Sequence, residues 1–306
     1  MTAQQLYTIA RDLIGSTAVS AGIALVSAIP IFLVGWNLHR RRKKFRTQSV
    51  EPFTEMPLRP PGESLRKRIE ELGDAFDTEL GATMVLCIGA TVLVTTLVFT
   101  KSANWIVIAF VGFVQVFAAF MMWRNLRKLQ TQLWSYRLGF DGERIVGEHL
   151  NRLMADGFEV FHDVPFDGFN IDHVIVGPPG VFAIETKTRR KPAGLKGTAK
   201  ATVIYDGAAL HFPNKTPDTD ALEQALRNAK TVAKFLTSAT GELTEVKPIL
   251  TLPGWWVERK GRGPVNVLNP KEVRNSFVAK AEPLSSERIK RIAHQLTERC
   301  RIEKVD

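Results

Sequence analysis

The sequence predicts a mixed α/β domain placed behind an all-helical, membrane-spanning N-terminal region, and three observations predict it. Long uncharged apolar stretches are confined to residues 1–136. After them, short β-branched runs alternate with helical apolar stripes, the pattern of a sheet flanked by helices. The strongest of these runs, Ile171 to Lys187, reads as two strands joined by Pro178-Pro179-Gly180, with Asp172 near the outer end of the first and Glu185-Thr186-Lys187 at the outer end of the second.

The N-terminal region comes first. Ser16 to Trp36 carries no charge and is about as long as a helix needs to cross a hydrocarbon core of roughly 30 Å. Gly81 to Thr100 is a second such run, and Trp105 to Trp123 a third with tryptophans at both ends, as interfacial anchors would be. Spans are therefore expected over residues 16–36, 81–100 and 105–123. Only Lys101 to Asn104 separates the last two, which predicts a tight helical hairpin.

Orientation follows from the basic residues. Arg40, Arg41, Arg42, Lys43, Lys44 and Arg46 follow the first span, and Arg124, Arg127 and Lys128 follow the third. The positive-inside bias puts both segments in the cytoplasm, the N-terminus outside, and everything after about Arg124 on the cytoplasmic face of the cell (inner) membrane of a multi-pass protein. A cleaved signal peptide fits poorly, because the basic cluster follows the apolar stretch. Between the first two spans, Glu51 to Gly62 holds four prolines and is expected to be an irregular linker, with a charged helix over Ser64 to Leu80.

Charge is uneven along the chain. Residues 1–140 hold 16 Lys and Arg against 9 Asp and Glu, and residues 141–306 hold 25 against 22, so +7 of the net +10 belongs to the anchor half. Attraction to anionic lipids accounts for that basic excess better than a nucleic-acid surface does. Cys87 in a span and Cys300 near the C-terminus are not placed to meet, which excludes a disulfide framework and a cysteine metal site.

The second region, residues 137–306, is then taken in order. Gly139 to Gly142 is expected to interrupt the stalk helix, which restarts at Glu143 and runs to about Met154 with Val146, Gly147, Leu150 and Leu153 inward. Glu143 has two readings: an acid favoured by a helix N-terminus, or an acid aimed at the interior. Phe158 to Val164 is a strand leading through Asp167-Gly168-Phe169 into the hairpin. Pairing Gly177 with Val181 places Asp172 opposite Thr186, to within about one residue. Glu185 and Lys187, two apart, share a strand face.

Beyond the hairpin, Arg189-Arg190-Lys191 form a short basic run, and Thr202 to Tyr205 and Ala209 to Phe212 a small hairpin. A helix from Asp220 to Leu236 is expected, opened by an Asp220 and Glu223 capping box, with Gln224, Arg227 and Asn228 away from its buried stripe. Val246 to Leu252 and Val265 to Leu268 read as strands. Pro270 to Val278 and Ser286 to Cys300 read as helices.

Two carboxylates beside a lysine suit phosphodiester hydrolysis, in which hard oxygen ligands hold Mg²⁺ and an amine orients water and stabilises developing charge. An aspartate, about a dozen residues, then Glu-x-Lys resembles the PD-(D/E)XK nuclease superfamily, with Ile171 in place of its proline. More narrowly, Gly142-Glu143, Ile171-Asp172-His173, Gly180-Val181-Phe182, Ile184-Glu185-Thr186-Lys187, and Gln224 with Arg227-Asn228-Ala229 resemble the nuclease-related domain (NERD) family over residues 137–255.

The resemblance implies a restriction-endonuclease-like core. It further implies that Asp172 and Glu185 bind Mg²⁺ or Mn²⁺ with Glu143 as an additional acid, that Lys187 assists the attacking water, and that Gln224 supports the site from its helix. The implied partner is nucleic acid, DNA ahead of RNA, alongside the lipid bilayer. His173 alternates to the other strand face and reads as structural. A catalytically silent nucleic-acid- or protein-binding scaffold at the membrane is the alternative, motivated by the modest +3 charge of the second region.

Overall fold

The computed structural model describes residues 57–99, 105–192, 201–213, 215–277 and 283–301. The expected span over 16–36, the basic cluster at 40–46 and the tip at 101–104 lie outside the described residues. The chain divides into two compact units, one holding Leu72–Gln132 and the other holding Glu55–Glu71 together with Leu133–Asp306.

In the first unit, helix α1 (Glu63–Phe99) and helix α2 (Trp105–Asn151) supply the apolar stretches. Both are long and apolar enough to cross a membrane by length and composition. Met84, Val85 and Leu86 on α1 and Phe113, Val116 and Phe117 on α2 are exposed, a surface costly to leave in water. The two helices meet through a cavity of about 470 Å³ lined by Ala82, Leu86, Val114 and Ala118. Asn125 Nδ2 donates to Glu79 Oε1 across the pair at 3.2 Å.

In the second unit, strands β1 (Glu159–Phe166), β2 (Phe169–Gly177), β3 (Gly180–Thr186), β6 (Val246–Thr251) and β8 (Asn266–Leu268) form one sheet in the order β1-β2-β3-β6-β8. The first three pair antiparallel and the last three parallel, so the sheet is mixed. Strands β4 (Thr202–Tyr205), β5 (Leu210–His211) and β7 (Trp256–Arg259) form a small second sheet. β7 was not expected from the sequence. Its four residues carry Glu and Arg on an edge, with Val257 as the buried member, so no apolar alternation announces it.

Helices cover both faces of the large sheet. Ala229, Val232 and Leu236 of α3 (Asp220–Thr240), with Ile292 and Leu296 of α5 (Ser286–Cys300), pack on Val174, Val176 and Ala183. On the other face Val146 and Leu150 of α2 pack on Ile175, Phe182, Ile184 and Ile249. Fully burying each such side chain contributes about 1.5–3 kcal/mol, which is what fixes the strand alternation. The expected helix at Pro270 to Val278 is shorter: a 3₁₀ turn over Pro270–Glu272 and a single α turn, α4, over Val273–Ser276.

Two local expectations are corrected. Helix α2 is not interrupted at Gly139 to Gly142 but runs through to Asn151. Three of its glycines are close-approach positions: a Cβ at Gly139 would meet Leu65, at Gly142 the Thr188 side chain, and at Gly147 the Pro61 ring. The propensity cost of about 1 kcal/mol per glycine is offset by that packing. Helix α3 is opened by Thr219 without a side-chain cap, and Asp218 Oδ1 accepts from the Ala221 amide at 3.3 Å, so the Asp220 capping box does not form. The expected irregular linker has no regular helix or strand from Pro57 to Gly62, and it belongs to the second unit, with Leu58 bridged to Arg301 and the Arg59 amide donating to the Cys300 carbonyl at 3.1 Å.

Candidate active site

The hairpin register is one residue tighter than expected. Pro178 and Pro179 form a two-residue turn, and Gly177 pairs with Gly180 and His173 with Ile184. Continuing that register sets Asp172 opposite Glu185 rather than Thr186. Directly opposed residues of an antiparallel pair point to the same face. The amide of Thr186 donates to Asp172 Oδ2 at 2.7 Å, which fastens the two strand ends together.

Strand β6 lies parallel to β3 and completes the floor. The Lys187 amide donates to the Thr251 carbonyl at 3.0 Å, and Thr251 Oγ1 donates to the Glu185 carbonyl at 3.1 Å. These bonds hold the backbone of the Glu-x-Lys segment on both sides. Its side chains then reach α3. Lys187 Nζ stands 2.8 Å from Glu185 Oε1 and donates to Gln224 Oε1, also at 2.8 Å. Asn228 Nδ2 donates to Glu185 Oε2 at 2.7 Å.

Gln224 and Asn228 are four apart and share one helix face, toward the site. Asn228, expected away from the buried stripe of the helix, is itself buried. Spacing alone would have found it, since any residue four from a site-facing Gln224 faces the site as well.

Glu143 approaches from α2 and is 8 % exposed. Because the helix is continuous there, the reading as a favoured acid in a first turn falls; no free amides stand beneath it. Burial raises its carboxyl to about 8, with the charges of Asp163 and Glu185 adding and Lys187 opposing. Burial likewise pushes Asp172 well above the ordinary carboxylate range, reinforced by Glu185 and Glu143 and opposed by the Thr186 amide and Lys187. Glu185 is raised by burial, against the pull of Lys187 and Asn228. Three acids thus crowd one lysine.

A fourth acid was missed in the sequence. Asp163 on β1 is 1 % exposed and has φ 47°, a left-handed conformation uncommon outside glycine. It is raised by burial, opposed by its bonds to Ser64 and Arg59. Arg59 Nη1 lies 2.7 Å from Asp163 Oδ2, and Ser64 Oγ donates to Asp163 Oδ1. Next to them Gly62, at φ 75°, lies against the Phe140 ring, and a Cβ there would sit 3.6 Å from Glu143 Oε2. The proline segment is a strap over the Glu143 side of the site.

His173 does not join the acids. It is fully buried on the opposite strand face, its Nδ1 2.9 Å from His162 Nδ1, and His162 Nε2 lies 2.9 Å from Asn151 Oδ1. An amide oxygen only accepts, so His162 carries its proton on Nε2 and His173 donates from Nδ1. His173 Nε2 is then a bare acceptor with no partner among the described residues. Burial lowers His162 to about 4 and His173 well below the ordinary range, so the pair is neutral. Arg189, of the basic run, pairs with Asp218 at 2.7 Å.

Asp172, Glu185 and Glu143 were also the expected metal ligands. Their donor chemistry, hard oxygens whose crowding raises their proton affinity, suits a divalent cation. Among the described residues, however, no three His, Cys, Asp or Glu side chains are grouped in metal-holding geometry. Both Glu185 oxygens already accept bonds.

Residues 138–253 match the family model described as nuclease-related domain. The match runs from the α2 segment that carries Glu143 to the end of β6, and so takes in the whole acid and lysine cluster. No curated protein and no solved structure matches the chain.

Proposed function

We propose that the chain is a membrane-anchored nuclease that hydrolyses phosphodiester bonds of nucleic acid, DNA ahead of RNA, on the cytoplasmic side of the membrane, using Mg²⁺ or Mn²⁺. One observation carries this reading: Lys187 is held between Glu185 and Gln224, with Asp172 at the directly opposed strand position. The match to the nuclease-related domain supports it. Two helices apolar enough to span a bilayer support the anchor, and the basic residues after residues 36 and 123 support the orientation.

Asp172 and Glu185 would hold the cation, with Glu143 as a further acid. A divalent cation, when bound, supplies a positive centre for the charge that grows on the phosphate. The rest is done by the chain's own groups. Lys187 donates toward the water or the non-bridging oxygen, and Gln224 fixes the direction of its ammonium. Glu143, at about 8, is poised to take or return a proton near neutral pH. Asn228 and the Thr186 amide set the rotamers of the two strand carboxylates, so little reorganisation is left for the reaction.

The test uses the full chain in detergent with labelled duplex DNA, single-stranded DNA and RNA, with Mg²⁺ or Mn²⁺ and with a chelator. Cleavage that stops with chelator is expected; cleavage that persists under it would sink the mechanism. The second reading, a binding scaffold that does not hydrolyse, is favoured by the engagement of both Glu185 oxygens. Binding without cleavage of any substrate would select it.

A further inference from the structure

A second concavity lies at the same end of the sheet as the acids. Thr251 ends β6 and is bonded to both Glu185 and Lys187. Two residues later the chain enters the wall of a cavity of about 370 Å³, lined by Pro253, Trp255, Trp256, Ile145, His149 and Lys271. Ligands of open α/β sheets gather outside the carboxyl ends of parallel strands, and this cavity follows the ends of β6 and β8.

The cavity is built rigidly. Trp255 is buried, its Nε1 donates to the Arg189 carbonyl at 3.2 Å, and its own carbonyl accepts from Asn269 Nδ2 at 2.6 Å. Asn269 Oδ1 accepts from the Lys271 amide at 3.0 Å, and Glu272 Oε2 accepts from the Asn269 amide at 3.1 Å, which locks the turn that presents Lys271. Against this fixed wall Trp256 is 64 % exposed. An exposed indole on a fixed wall offers a flat apolar face on which another ring can stack.

Two cations stand beside the aromatic wall: exposed Lys271 lines the cavity next to Glu272, and exposed Lys191 sets Nζ 5.9 Å from the centre of the Trp255 ring. His149, lowered by burial and by Arg152 and Lys271, adds a neutral ring rather than a charge. Aromatic surface for a π-face, with cations at the rim for phosphates, is the combination that takes an unpaired base of a single strand. A paired base keeps its faces covered by its neighbours in the stack.

We propose that this cavity binds an unpaired nucleobase on Trp256, so that the chain engages single-stranded or locally opened nucleic acid next to the Glu185 and Lys187 site. The proposal rests on the nuclease reading and names its substrate class. Binding is measured in chelator, where no cleavage occurs, with the full chain in detergent, a fluorescent oligothymidylate and a duplex of equal length. Trp256→Ala is expected to weaken the single strand about five- to a hundredfold and the duplex by less than about twofold, with Trp256→Phe retaining most of the affinity.

Equal affinity of wild type and Trp256→Ala for the single strand, or equal loss on both substrates, would overturn the proposal. So would quenching of Trp256 by bromine-labelled lipid in nanodiscs, taken as the difference between wild type and Trp256→Phe, because it would assign the ring to the bilayer. A wild type that binds in this pattern yet never cleaves with Mg²⁺ would sink the hydrolytic reading and leave the base site standing.

Discussion

Asp172 and His173 are neighbours in sequence and open onto opposite faces of β2, where each belongs to a buried polar cluster of a different kind. In the Asp172 cluster, which Glu143 joins from the helix covering the other face, burial and like charge push Glu143, Asp172 and Glu185 upward in pKa around Lys187. On the His173 side, burial pushes two histidines downward until they form a neutral, mutually bonded pair. Crowded, buried acids around a lysine are what the proposed site rests on, whereas the histidines are neutral and bonded to each other, with only His173 Nε2 lacking a partner among the described residues. On the proposed function, that difference between the clusters separates chemistry from scaffolding.

The largest effect expected breaks the first cluster. Lys187→Ala removes the lysine that opposes all three acids and should slow cleavage about 10²- to 10⁴-fold, read from single-turnover rates, with binding of substrate much less affected.

The next concerns pH. Glu143 rises from an ordinary 4.5 to about 8, so between those values the folded state holds a proton that the unfolded chain has released. Stability is therefore full below about 4.5 and falls as pH climbs toward 8. The histidine pair acts oppositely: with His162 lowered from 6.5 to about 4, stability is lost as pH falls through that window. Glu143→Gln should flatten the alkaline side of the melting-temperature profile alone. The gain at pH 8 is on the order of 1–3 kcal/mol after allowance for coupling among the acids.

The smallest effect tests the strap. Arg59→Ala leaves the Asp163 carboxylate buried without its ion-pair partner and should cost about 2 kcal/mol, read by denaturant midpoint. The loss should shrink at low pH, where Asp163 is protonated. An unchanged midpoint would mean that the strap does not hold the site.

Much of this was legible in the sequence because local periodicity carried it. The hairpin acids, the Glu185 and Lys187 pairing on one face, and the apolar stripe of α3 all follow from strand and helix periods. What was not legible depended on distant contacts. Gly139 and Gly142 look like helix breakers until Leu65 and Thr188 are seen against them. Arg59 meets Asp163 across 104 residues, and no local pattern announces that. The register slipped by one because Pro178-Pro179 closes the hairpin with two residues rather than three. Asn228 lies outside the apolar stripe of its helix by period, and only the buried carboxylate of Glu185, to which it donates, accounts for its burial.

The most direct test of the central claim compares the two faces in one experiment: the cleavage rate per folded molecule for Glu185→Gln and for His173→Phe, alongside their melting temperatures. The two-face account predicts that Glu185→Gln loses cleavage about a hundredfold or more while melting as wild type or higher. It predicts that His173→Phe melts lower by several degrees, about 1–3 kcal/mol, with its folded fraction cleaving at the wild-type rate. Full cleavage by Glu185→Gln, or loss of cleavage by well-folded His173→Phe, would contradict it.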